Sequence, residues 1–87
     1  MLTIWSSIYK KEKNVKHITV HSENSSMEDA LLDCLQQVCR EFDLEMPQWH
    51  SKHTKQLATF HKATFKKEDF IDKFNYDRLT IEIIDTK

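Results

Sequence analysis

Hydrophobic and polar residues alternate at the start of the chain. Leu2, Ile4 and Ile8 fall on one side of an extended segment, and Thr3, Trp5, Ser7 and Tyr9 on the other, which is the two-residue period of a β-strand. Lys10 to Asn14 is polar and charged, and Asn14 is a residue type that tolerates positive φ, so a hairpin turn is expected there. Val15 to His21 is rich in β-branched residues, with Ile18 and Val20 on one face and His17, Thr19 and His21 on the other. The period then changes. From Met27 to about Phe42 the apolar positions Met27, Leu31, Cys34, Leu35, Val38 and Phe42 recur at steps of three or four, which predicts an amphipathic helix. Ser25 with Glu28, or Ser26 with Asp29, has the spacing of a capping box at its start.

Pro47 disfavours helix at Met46, and Trp49 follows as a large anchor. Ser51 to about Lys62 reads as a second, weaker helix with His53, Leu57 and Phe60 on one side. Ala63 to Tyr76 reads as irregular, with Phe65, Phe70, Phe74 and Tyr76 expected to pack over a core edge. Leu79 to Ile84 alternates again, placing Leu79, Ile81 and Ile83 inward and Thr80 and Glu82 outward. These elements predict an α+β fold: a small antiparallel sheet, made of an N-terminal β-hairpin and a C-terminal strand, with one long and one short helix packed on one face. The uncovered face would carry Trp5, Tyr9, His17, His21 and Glu82.

At 87 residues the chain has room for one domain, spanning 1–87. A chain of this size buries roughly 60–65% of its unfolded surface, so its core is thin. Gly is absent and Pro occurs once, which leaves no glycine-rich loop to cradle a phosphate. No apolar run reaches the ~20 residues needed to cross a bilayer, so no membrane role is expected. The N-terminal stretch lacks a basic region followed by a long apolar one, which points to a cytoplasmic location. Cys34 and Cys39 are five apart on one helix and point about 140° away from each other, so an intramolecular disulfide is not expected.

Several stretches together resemble a known family. Trp5 in the first strand is followed by Cys39-Arg40-Glu41-Phe42-Asp43-Leu44 at a helix end and by Pro47-Gln48-Trp49. After them come Phe65, Asp69-Phe70-Ile71 and Tyr76-Asp77-Arg78-Leu79-Thr80-Ile81. In this pattern the chain resembles an uncharacterised family of short cytoplasmic proteins from low-GC Gram-positive bacteria. The resemblance spans nearly the whole chain and implies a bacterial, cytoplasmic setting and a common fold. It transfers no catalytic residue.

The candidate chemistry is thin. His50 and His53 are three apart, with His61 roughly on the same helical side as His53, but this stretch has no H-x3-H or C-x2-C pattern of the kind a zinc site needs. His17 and His21 lie on a strand, about 13 Å apart, too far to share an ion. Cys39 is the thiol expected nearer the surface, with only Arg40 as a basic neighbour in sequence. No carboxylate pair reads as general acid and base. The expectation is therefore no enzyme, no catalytic residue, no metal and no cofactor; a thiol- or metal-dependent enzyme ranks as the third reading.

Charge separates along the chain. Glu23 to Glu45 carries seven carboxylates against Arg40, whereas His50 to Lys67 carries Lys52, Lys55, Lys62, Lys66 and Lys67 and no acid. Two binding readings follow. The first is protein–protein interaction or self-association, including a homodimer, through Trp5, Tyr9, His17 and Glu82, because Trp and Tyr dominate interface hot spots. The second is weak nucleic-acid binding through Lys52, Lys55, Lys62, Lys66 and Lys67, with interleaved aromatic residues for stacking.

Overall fold

The structure is a computed structural model that describes residues 1–71 and 73–86. Strands β1 (Leu2–Lys10) and β2 (Lys13–Ser22) form the N-terminal hairpin. Its turn is two residues long and uses Lys11 (φ 53°) and Glu12 (φ 65°), both left-handed. Two left-handed residues match the right-handed twist of the flanking strands, which is why hairpins tolerate them even without glycine. Asn14 is not a turn residue as the sequence suggested; it sits in β2 opposite Tyr9. The register then slips between Ile8 and Tyr9, leaving Val15 as the extra residue of a bulge.

Helix α1 (Met27–Glu41) follows, with Ser26 as its N-cap residue. Ser26 makes no side-chain cap bond, so the expected capping box does not form. Ala30, Cys34, Leu35, Val38 and Cys39 are the helix's buried residues, while Met27 is exposed. Helix α2 (Ser51–Phe60) buries His53 and Leu57, but Phe60 is 71% exposed and does not join their side. The helix stops at His61, which takes a left-handed conformation (φ 57°) and donates its N–H to the Leu57 carbonyl.

The chain then enters a strand that the sequence reading had divided between a helix end and an irregular segment. β3 (Lys62–Lys66) alternates Ala63 and Phe65 inward with lysines and Thr64 outward. A short 3-10 turn (Lys67–Asp69) and an aromatic segment lead into β4 (Arg78–Asp85). The sheet is antiparallel throughout, in the order β2-β1-β4-β3.

Directly opposed residues share a face, so the register assigns the two sides of the sheet. Leu2, Ile4, Ile8, Val20, Ala63, Phe65, Leu79 and Ile81 lie on the side covered by the helices and form the core with α1. Phe70 and Phe74 stack at 4.0 Å, Tyr76 meets Phe74 edge-on, and Phe70 and Phe74 complete the core. Among the described residues, no helix lies on the opposite side of the sheet. Among the described residues, no helix is long and apolar enough to cross a membrane.

The turn yields a prediction. Replacing Lys11 with Asn and Glu12 with Gly puts the residues best suited to positive φ where the backbone already needs them. The pair is expected to raise unfolding free energy by about 1 kcal/mol and the thermal midpoint by roughly 4–8 °C, measured by chemical and thermal denaturation.

Candidate interaction face

The uncovered side of the sheet is built in rows across the strands. Thr19, Trp5, Glu82 and Lys62 form one row, and His17, Ser7, Thr80 and Thr64 the next. Asn14, Tyr9, Arg78 and Lys66 form the third. The structure thus brings Trp5, Tyr9, His17 and Glu82 onto one surface. It adds Arg78, which the sequence reading left out although its step of four from Glu82 on one strand puts both on the same face.

This surface is internally ordered. Trp5 meets the edge of His17 with ring centroids 6.1 Å apart. Arg78 lies over the Tyr9 ring, its guanidinium carbon 4.1 Å from the centroid, a contact worth about 0.5–1 kcal/mol where solvent reaches it. Between the two aromatic rows the face is low and polar: Ser7 and Thr80 are buried and share a hydroxyl–hydroxyl bond of 2.7 Å. Ser6, on the core side, donates its hydroxyl to the Thr80 carbonyl at 2.8 Å. Trp5, Tyr9, Arg78 and Glu82 are partly buried, and His17, Lys62 and Lys66 are exposed.

The basic segment is not one surface. Lys62 and Lys66 belong to the open face through β3, whereas Lys52 turns to the carboxylates of Asp69 (3.3 Å) and Glu68 (4.0 Å). Lys67 lies 3.9 Å from Asp77, and Lys55 is exposed on α2. Five lysines close in sequence are therefore divided among a helix, a strand and a 3-10 turn.

A second cluster gathers titratable groups on the covered side. His53 is fully buried and stacks on Phe65 at 4.2 Å. Its Nδ1 accepts the His50 backbone N–H at 2.9 Å, so Nε2 carries the ring proton and faces Asp69 Oδ2 at 3.3 Å. The same Asp69 oxygen accepts the Lys66 N–H at 2.9 Å, while Oδ1 faces Lys52 Nζ at 3.3 Å and His50 Nε2 at 3.7 Å. Burial, the largest influence, pushes the His53 pKa below its ordinary 6.5; Lys52 and His50 add to this, and Asp69 opposes it. Burial alone would raise the Asp69 carboxyl, but the Lys66 N–H, Lys52 and His53 together hold it below 3.8.

Both ring nitrogens of His53 are therefore engaged within the fold, which holds the start of α2 against Asp69. Cys39 proves buried, contrary to the expectation that it lies nearer the surface, and burial raises its thiol pKa to about 11. Cys34 is likewise raised to about 11 by burial and by Asp33. Neither thiol supplies thiolate near neutral pH. Among the described residues, no three His, Cys, Asp or Glu side chains converge as metal ligands.

The buried pair sets a pH dependence. A histidine held neutral in the fold lets the unfolded chain bind the proton first, so its contribution is complete above about pH 6.5 and is lost as pH falls below that. Asp69 acts in the same direction from about pH 3.8 downward. Unfolding free energy should fall with a slope of up to about 1.4 kcal/mol per pH unit per proton below pH 6.5. His53→Gln should flatten that slope in urea titrations between pH 7 and 5. Asp69→Asn should cost about 2–4 kcal/mol at pH 7, because it removes the buried negative charge that faces His53, Lys52 and the Lys66 N–H. Searches against family models, curated proteins and solved structures find no match to this chain, so the reading of its surface rests on the geometry.

Proposed function

We propose that this chain is a non-catalytic binding module that engages a partner protein, or a second copy of itself, through the open face of its sheet. The observation that carries this reading is the placement of Trp5 and of the Tyr9–Arg78 pair on one side of the sheet, which no helix covers among the described residues. Trp, Tyr and Arg are the residue types most enriched at interface hot spots. Here they are already ordered by their own contacts, with Arg78 on Tyr9 and His17 against Trp5, so little side-chain freedom is left to lose on binding. Lys62, Lys66 and Arg78 outweigh Glu82 and Asp85 across this face, which suits a partner surface with an acidic rim.

A protein partner accounts for this surface better than a nucleic acid. Base stacking needs a free ring face, and Arg78 covers Tyr9 while Lys52 and Lys67 turn to the chain's own carboxylates. The setting we propose is the bacterial cytoplasm, following the family resemblance.

The test is affinity capture of the tagged protein from a lysate of its source cells at low salt, with and without nuclease. The expected result is a stoichiometric protein that survives nuclease treatment. Trp5→Ala should weaken its capture by about 30-fold, the ~2 kcal/mol typical of a hot-spot aromatic, while leaving the thermal midpoint within a few degrees of wild type. Sedimentation of the purified protein identifies the case in which the partner is a second copy. Recovery of nucleic acid alone, lost steeply with added salt, would overturn the proposal in favour of the lysines.

A further inference from the structure

The two outer edges of the sheet are finished differently. Along β3 two outward amides are capped by side chains: Thr64 N–H donates to Gln56 Oε1 and Lys66 N–H to Asp69 Oδ2, both at 2.9 Å. Those two positions are closed to another strand. On β2 the pattern follows from the turn. Lys10 and Lys13 flank a two-residue loop and bond to each other. Counting in twos along the register, Ile18, Val20 and Ser22 turn their backbone groups to β1, and His17, Thr19 and His21 turn theirs outward. The His21 carbonyl is taken by Gln37 Nε2 at 3.0 Å, which confirms the phase. His17 and Thr19 face a side on which, among the described residues, no further strand lies.

A groove runs beside this open edge on the helix side. It is about 510 Å³ in volume and is lined by Asn14 to Ile18 of β2 and by Glu41 and Phe42 at the end of α1. Above it, Asp33, Gln37 and Glu41 follow one another at steps of four along α1, tied to the edge by the Gln37 bond and by Asn24 on Asp33.

From these features we infer that β2 is a docking strand: an extended segment of a partner protein pairs antiparallel or parallel with His17 and Thr19 and lays alternate side chains into the groove. Only an extended backbone matches a row of outward N–H and C=O groups, and a flanking pocket is what gives such strand addition its sequence preference. Ile18 calls for an apolar side chain, and Glu41, which lines the groove across from Lys16, together with Asp33 further along α1, calls for a basic residue on the helix side, away from Lys16. The same two acids argue against a second copy, since two-fold pairing of β2 would bring acidic α1 against acidic α1. This inference does not depend on the open-face reading, because it uses the backbone edge and the opposite side of the sheet.

The test uses the full chain and a random dodecapeptide library displayed on phage, followed by the most enriched peptide made synthetically. The expected peptide alternates apolar residues with at least one Lys or Arg on the same side, and at saturation it slows hydrogen exchange of the His17 and Thr19 amides at least tenfold. Thr19→Pro removes an outward N–H that the sheet does not use, so it should weaken the peptide at least tenfold with an unchanged thermal midpoint. Should that variant fail to fold, the amide protection and Glu41→Lys, which should weaken a basic peptide several-fold, decide the matter. Trp5→Ala should keep the protection, which separates this site from the open face. Absence of any enriched peptide, equal binding to Thr19→Pro, or protection confined to other amides would overturn the inference. So would protection of His17 and Thr19 that grows with protein concentration alone, which would assign the edge to a second copy.

Discussion

The Asp69 carboxylate is the point on which one end of this molecule depends. It is buried, yet it receives the Lys66 N–H, faces the His53 ring and lies within reach of Lys52. These partners come from the start of α2 and the end of β3, and Asp69 itself from the 3-10 turn, so a single anion fixes how three elements meet. The backbone adds to it, since the Gln48 N–H donates to the Asp69 carbonyl at 2.7 Å and draws in the loop after Pro47. The first turn of α2 contains no acidic residue of its own and carries Lys52, an unfavourable charge at the positive end of a helix. Asp69 supplies the missing negative charge from elsewhere in the chain.

With that corner fixed, the sheet presents two sides with opposite tasks. The covered side takes the aliphatic residues of all four strands, and α1 and α2 close over them. The open side is left with aromatic, cationic and hydroxyl groups that hold one another in place. Buried Ser7 and Thr80 explain how such a face stays ordered: their hydroxyls satisfy each other beneath the larger side chains, so no polar group is stranded.

The parts of this architecture written in local periodicity were legible in the sequence. The alternation of Leu2 to Tyr9 and of Leu79 to Ile83, and the three-four spacing from Met27 to Phe42, placed the central strands, α1 and most of the open face, although Met27 itself is exposed. What was not legible depends on distant partners. β3 is five residues long and follows α2 with only His61 between them, so its Ala63–Phe65 alternation is short enough to pass for a helix end. The role of Asp69 could not be read locally either, because an acid beside Glu68 and two lysines looks like a surface residue until His53, sixteen positions earlier, folds against it. Arg78 was within reach of local reasoning, since its step from Glu82 on one strand fixes its side.

The strand order has a further consequence for how the chain reaches this state. The β1–β2 hairpin closes over a few residues and belongs to the fast, local part of folding. The β1–β4 pairing that completes the centre of the sheet joins residues as far apart as Ser7 and Thr80, and its loop-closure entropy must be met before any of its contacts form. Topology alone thus makes the arrival of β4 alongside β1 the costliest closure. A hairpin without β4 has both its outer edges unpaired and Ile4 and Ile8 uncovered, so a chain that has lost β4 offers the surfaces that favour aggregation.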